Sequence, residues 1–240
     1  MTAQRFTGKM ALIAGATGGL GRAVVLAFLE EGAQVIAADQ NLEGLAALQK
    51  AAGAAVTRLQ TQGLNATDET AVHAVIDSVM TTHRRLDVLV NTIGGYAGGV
   101  KLWELDRKTY DLMLTLNLHA GFTLARAVVP AMLRQGSGAI VNIGSKAALD
   151  HAAGASAYAA SKAASVALFD CLAQDLKGTG IRVNSVLPSI IDTEANRRAM
   201  PDADFSKWPK PEEIARVILF LCSDDAKLIH GAAVPVYGES

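Results

Sequence analysis

The sequence predicts an α/β domain in which a seven-stranded parallel sheet is doubly wound, with helices on both faces. Three observations carry this expectation. Short β-branched runs alternate with longer segments of helical period, a glycine-rich turn joins the first strand to the first helix, and no compositional break divides the 240 residues. Each βαβ crossover is expected to be right-handed.

Strands are expected at 9–14, 34–38, 56–61, 87–90, 139–143, 181–186 and 233–236. Helical patterns fall between them at 20–31, 42–52, 68–82, 106–134 (read as two helices), 156–177 and 211–223. Thr67-Asp68-Glu69 and Lys210-Pro211-Glu212-Glu213 carry the capping and first-turn chemistry of helix starts. Residues 187–210 hold Pro188, Pro201 and Pro209 with mixed charge, so an irregular or short-helical excursion is expected there. Beyond the C-terminal end of a parallel strand, such a segment shapes a ligand site or lid. With no repeat and no low-complexity linker, residues 1–240 read as one domain whose substrate loop is 187–210.

Half of the chain is apolar and 19% is charged, with 22 basic and 23 acidic side chains and a formal net charge of -1. That balance gives no basis for attracting nucleic acid or an anionic membrane, so neither is expected as a partner. No uninterrupted apolar run reaches ~18 residues and no leader pattern precedes the first strand, so a cytoplasmic location is expected. The two cysteines, Cys171 and Cys222, cannot build a disulfide framework and are expected to be buried free thiols. His73, His83, His119, His151 and His230 show no ligand spacing, so no metal is expected.

Gly15-Ala16-Thr17-Gly18-Gly19-Leu20-Gly21 follows the first strand and opens the first helix. Small residues there let the backbone approach a pyrophosphate, while free N–H groups and the positive helix end attract its charge. An ordinary tight turn would also account for such spacing. Asp39 adds a second sign, because it ends the second strand 18 residues past Gly21. A carboxylate at that point accepts hydrogen bonds from an adenosine ribose and repels a 2′-phosphate, which favours NAD(H) over NADP(H); a helix cap is its bland alternative.

The spacing Gly15-x-x-x-Gly19-x-Gly21 resembles the fingerprint of the short-chain dehydrogenase/reductase superfamily. The resemblance runs along nearly the whole chain, through Leu86-Asp87-Val88-Leu89-Val90-Asn91, Asn117, Ser145, Tyr158-x-x-x-Lys162 and Arg182-Val183-Asn184-Ser185-Val186-x-Pro188. It implies a Rossmann-type domain and an NAD(P)-dependent oxidoreductase that interconverts a carbonyl and an alcohol by hydride transfer. It further implies that Gly15, Thr17, Gly18, Gly19, Leu20, Gly21, Asp39, Asn91, Gly94, Tyr158, Lys162, Pro188, Ile191 and Thr193 hold the cofactor.

Tyr158 and Lys162 stand four apart at the start of a helix and share one face. The cation is expected to lower the phenol pKa, making Tyr158 a general acid or base. By resemblance, Ser145 hydrogen-bonds the substrate oxygen, Lys162 also holds the nicotinamide ribose, and Asn117 supports a proton-relay water. A non-catalytic nucleotide sensor is the rival from another class; loss of the tyrosine or lysine would mark it, and both are present.

Several positions depart from the family pattern: Thr92-Ile93 within Asn91-Thr92-Ile93-Gly94, Asn65 where an aspartate faces adenine, Ser189 after Pro188, and the ending Val236-Tyr237-Gly238-Glu239. Four segments resemble the quinonoid dihydropteridine reductases: Gly94-Gly95-Tyr96-Ala97-Gly98-Gly99, Lys146-Ala147-Ala148-Leu149-Asp150, the Tyr158/Lys162 pair, and the stretch from Leu187 through Asn196-Arg197-Arg198 and Phe205 to Trp208. That resemblance implies a planar heterocyclic substrate and agrees with NADH. Ser145 points the other way, since those enzymes have alanine there, so dihydropterin reduction is the alternative to ordinary carbonyl/alcohol chemistry.

Tyr96 and Trp208 are candidates to stack on a planar substrate, or are loop anchors. The helix 156–177 carries Ala157, Ala159, Ala160, Ala163, Ala164 and Ala167, small residues that permit close helix approach on a second face. By resemblance this helix and the preceding one form a homo-oligomer interface, in a tetramer or dimer.

Overall fold

The computed structural model describes residues 4–239. Strands β1 (Met10–Ala14), β2 (Gln34–Asp39), β3 (Leu59–Gly63), β4 (Val88–Asn91), β5 (Gly138–Ile143), β6 (Ile181–Pro188) and β7 (Ala233–Val236) form one sheet in the order β3-β2-β1-β4-β5-β6-β7, every pair parallel. The strand order reverses between β1 and β4, and a crevice opens beyond the carboxyl ends of strands at such a switch point.

Helices α1 (Gly19–Glu30), α2 (Leu42–Ala51), α3 (Glu69–His83), α4 (Arg107–Leu114), α5 (Ala120–Gln135), α6 (Ser156–Asp175), α7 (Glu194–Ala199) and α8 (Pro211–Cys222) connect the strands or cover the sheet. Strand side chains alternate between two cores, as period 2 requires. Ala11 and Ile13 face Val24, Phe28, Leu48, Ile214 and Ile218 on one side; Leu12 and Ala14 face Ile76, Leu124, Val128, Met132 and Phe169 on the other. Helix starts obey their local chemistry: the Asp68 carboxylate accepts from the Ala71 N–H, and the Glu213 carboxylate accepts from the Lys210 N–H ahead of Pro211.

Three expectations shift. The third strand starts at Leu59 because Gly53–Arg58 forms a 3₁₀ stretch, with the Arg58 guanidinium donating to the Leu29 carbonyl at 2.7 Å. The stretch 106–134 is one helical path, α4 and α5 joined by a π turn over Thr115–His119. It is long and apolar enough to cross a membrane by composition, but half of the qualifying window is buried inside the protein, as in a core helix. Cys171 is exposed, because Phe169 and Ala173 take the core-facing stripe of α6 and the residue between them points away. Cys222 is buried as expected, and burial pushes its thiol pKa up to about 12.

Candidate active site

A cleft of about 280 Å³ lies at the switch point, lined by Gly15, Thr17, Gly18 and Asp39 on one side and by Asn65, Thr92 and Gly94 on the other. Register brings its walls together: Ala14 pairs with Asn91, and the Thr92 hydroxyl donates to the carbonyls of Ala14 (2.8 Å) and Gly15 (3.0 Å). Gly15 has φ +81° and a Cβ there would stand 2.8 Å from the Ile93 nitrogen, while a Cβ on Gly21 would collide with the Gly15 carbonyl. Gly18 is different: a Cβ there would make only an ordinary contact, 3.5 Å from the Gly15 carbonyl oxygen, so no protein atom crowds it. Helix α1 begins at this opening with no side-chain cap and no acidic residue in its first turn. Uncapped N–H groups at a positive helix end suit an anionic pyrophosphate, so the residues present fit a dinucleotide. Leu20 is buried and anchors the helix start in the core.

Asp39 stands at the end of β2 as the spacing predicts. One carboxylate oxygen accepts from the Thr17 N–H (3.0 Å) and hydroxyl (2.8 Å), the other from the Asn41 N–H (3.1 Å). These donors lock a negative charge against the glycine turn, and among the described residues no lysine or arginine lines this end of the cleft. Asn65 lines it too, its amide oxygen accepting from Thr67 and from Gln40.

At the other end, β5 delivers Ser145 into a single-turn helix that it caps, its Oγ accepting from the Ala147 N–H at 3.1 Å. The Ser145 hydroxyl neighbours the Tyr158 phenol closely enough to act on its ionisation. Lys162, one turn along α6, is 5% exposed and donates from Nζ to the Ile143 carbonyl at 2.8 Å. A Cβ on Gly94 would stand 3.1 Å from Lys162 Nζ and 3.0 Å from Asn117 Oδ1, so both groups converge where Gly94 closes the cleft.

The electrostatics correct one expectation. Burial raises the Tyr158 pKa above the ordinary phenol value, Tyr96 adds to the rise, and the Ser145 hydrogen bond opposes it. Lys162 does not bring the phenol down, because its ammonium is aimed at the Ile143 carbonyl and burial lowers its own pKa to about 8. Burial therefore favours the neutral phenol of Tyr158 over its charged form.

Asn117 is held by protein partners. It sits in the π turn, 2% exposed, with Oδ1 accepting from the Gly95 N–H and Nδ2 donating to the Gly95 carbonyl and to Ser161 Oγ, each at 3.0 Å. Ser161 donates on to the Tyr158 carbonyl at 2.8 Å. The amide thus clamps the Gly94-Gly95 backbone to the helix turn that bears Tyr158; π turns often mark such sites. Ser161 escaped the sequence reading because a serine in an alanine-rich helix carries no signal of its partner. The Asn91 side chain donates to Asn142, which donates in turn to Ser165, and its Oδ1 accepts from the N–H of cleft-lining Ile93, so it ties β4, β5 and α6 together at the cleft wall.

The substrate loop is more ordered than expected. Thr193 caps α7, accepting from the Asn196 N–H, while the Ile191 carbonyl accepts from the Thr193 N–H and the Asn196 amide. The Thr193 methyl covers Gly19, where a Cβ would stand 2.6 Å from it. Pro188 lies buried at the end of β6, below the loop. Arg197 makes a two-point pair with Asp192 and lies 4.8 Å over the Phe205 ring, which is 5.0 Å from Trp208. Trp208 is buried and anchors the loop, the second of its two expected roles. Tyr96 is 67% exposed and meets the Tyr158 ring edge-on at 5.0 Å. No cluster of potential metal ligands occurs among the described residues.

The family model for short chain dehydrogenases matches residues 9–204. The chain is 36% identical to a 3-oxoacyl-[acyl-carrier-protein] reductase FabG of Thermotoga maritima, over 98% of each protein, and 35% identical to a D-threitol dehydrogenase of Mycolicibacterium smegmatis, over 98% of this chain and 93% of that one. Among solved structures it is similar to an NAD+-bound xylitol dehydrogenase (TM-score 0.91, 27% identity, 98% and 99% covered) and to ElxO with NADP bound (TM-score 0.90, 26% identity, 96% and 97% covered). Fold, glycine turn and whole-length similarity agree: the chain belongs to the short-chain dehydrogenase/reductase family and is an NAD(P)-dependent oxidoreductase.

Proposed function

We propose that this enzyme reduces a small-molecule carbonyl to an alcohol with NADH, using Tyr158 as the general acid. The observation that carries the reading is the Ser145–Tyr158 pair beside Lys162 and Gly94, at the closed end of a cleft that fits a dinucleotide. A nicotinamide dinucleotide, when bound, supplies the hydride. Ser145 donates its hydroxyl hydrogen to the carbonyl oxygen and Tyr158 gives that oxygen a proton as negative charge develops. A neutral phenol suits this direction. Lys162 is the residue that would hold the nicotinamide ribose, and Asn117 acts by position, fixing Gly95 against α6. The Asp39 carboxylate, with no lysine or arginine among the described residues lining its end of the cleft, favours NADH; a bound 2′-phosphate would meet a like charge.

A second reading, dihydropterin reduction, is favoured by one observation: exposed Tyr96 offers a flat aromatic wall against Tyr158. One NADH- and NADPH-oxidation screen over ketones, quinones and quinonoid dihydropterin tests both readings. Turnover of several carbonyls with NADH ahead of NADPH supports the first, a response confined to pterin supports the second, and equal use of both cofactors removes the role of Asp39. We also propose a cytoplasmic homo-oligomer, dimer or tetramer, built on α5 and α6. Exposed Phe122 and Leu133 lie on α5. A monomer by light scattering at micromolar concentration would refute it.

A further inference from the structure

Two departures from the family pattern, Ser189 and Tyr237, meet in the fold: the Ser189 hydroxyl donates to the Tyr237 carbonyl at 2.6 Å across 48 residues of sequence. Around this bond the segment after β7 stitches both stems of the substrate loop. The outgoing stem leaves β6 at Ser189 and the returning stem passes Lys207 to Pro209, the two joined by the Asp192 N–H donating to the Pro209 carbonyl at 2.9 Å. The Glu239 N–H donates to the Lys207 carbonyl at 3.0 Å. Gly238, at φ +64°, lies so close that a Cβ would stand 2.8 Å from that carbonyl oxygen and 3.1 Å from Pro209 Cδ.

The same segment reaches the catalytic turn. The Tyr237 ring carries the Lys146 ammonium at 5.3 Å from its centroid, and Lys146 directly follows Ser145. Asp150, the other partner of Lys146, is 3.9 Å away with its side chain 73% exposed, a pairing that solvent screens. The ring is therefore the more constraining contact.

We propose that Tyr237 is a positioning residue that couples the stems of the substrate loop to the Ser145 turn, so that displacement of the loop is felt at the Ser145 hydroxyl. The coupling rests on the carbonyl-reducing reading only for its activity readout. Its test compares Tyr237→Ala, Tyr237→Phe and Ser189→Gly in the full-length protein by amide exchange of segments 145–149 and 189–209, and by steady-state reduction of isatin with NADH. Tyr237→Ala should speed exchange in both segments together and lower kcat about tenfold, the scale of one lost cation–π contact, with the KM for NADH unchanged. Tyr237→Phe, which keeps the ring over Lys146, should keep 145–149 protected, and Ser189→Gly, which frees one stem from the Tyr237 carbonyl, should speed exchange in 189–209 and, more weakly, in 145–149. Exchange in Tyr237→Ala that is unchanged, confined to 189–209, or spread evenly over the sheet overturns the coupling. A wild type inert toward isatin counts against the proposed reaction, while the exchange result still decides the coupling.

Discussion

The two ends of the cleft are built on different principles. The nucleotide end is a matter of backbone: Gly15 and Gly21 leave no space for a side chain, no protein atom crowds Gly18, and α1 starts uncapped. The substrate end is a matter of side chains brought from distant elements, with Ser145 from β5, Tyr158 and Lys162 from α6, Asn117 from a π turn and Tyr96 from the loop after β4. Backbone constraints name their residue type, because only glycine satisfies them. Side-chain constellations name only roles, so the same fold serves many substrates.

Three substitutions sharpen that contrast. Gly21→Ala should have the largest effect, since the added methyl meets the rigid Gly15 carbonyl. Overpacking of this kind costs roughly 1–3 kcal/mol, and titration should show NADH binding lost together with a lower melting temperature. Ser145→Ala should leave NADH binding intact and lower kcat about a hundredfold, the scale of one hydrogen-bond donor to a developing oxyanion. Equal damage to binding in both variants would break the division.

Lys162→Met gives the smallest and most specific effect, a change in the pH dependence of stability. The Lys162 pKa falls from 10.5 to about 8 on folding. Between those values the unfolded chain holds a proton that the folded protein releases, so wild-type stability should rise with pH in that window relative to the variant. Below about 8 the cost of burying the ammonium is present in full. Melting curves of the two proteins from pH 7 to 9.5 check this, and parallel curves would show that the ammonium is not desolvated.

Much of the fold was legible because its signals are local. Apolar strand runs, the Asp68 cap and Pro211 at the start of α8 place elements without knowledge of their partners. The start of β3 was misplaced because Val56 looks like a strand residue, and only the Arg58 contact with the Leu29 carbonyl, across 29 residues, shows why a 3₁₀ turn wins there. The identities of Ser145, Tyr158 and Lys162 could be read from spacing, but the state of Tyr158 could not. Spacing four apart puts a cation near a phenol; it does not say that the cation turns toward the Ile143 carbonyl while burial favours the neutral phenol. Likewise the sequence leaves Trp208 as either a substrate wall or a loop anchor, and only its packing with Phe205, which Arg197 covers, decides for the anchor.

The central claim is that Tyr158 donates the proton that completes carbonyl reduction while contributing little to holding the dinucleotide. Single-turnover reduction of a carbonyl substrate by Tyr158→Phe, with NADH bound beforehand, tests it most directly. The account predicts NADH affinity near that of wild type and a rate reduced about a thousandfold, within the range of general acid catalysis. Reduction at the wild-type rate would contradict it.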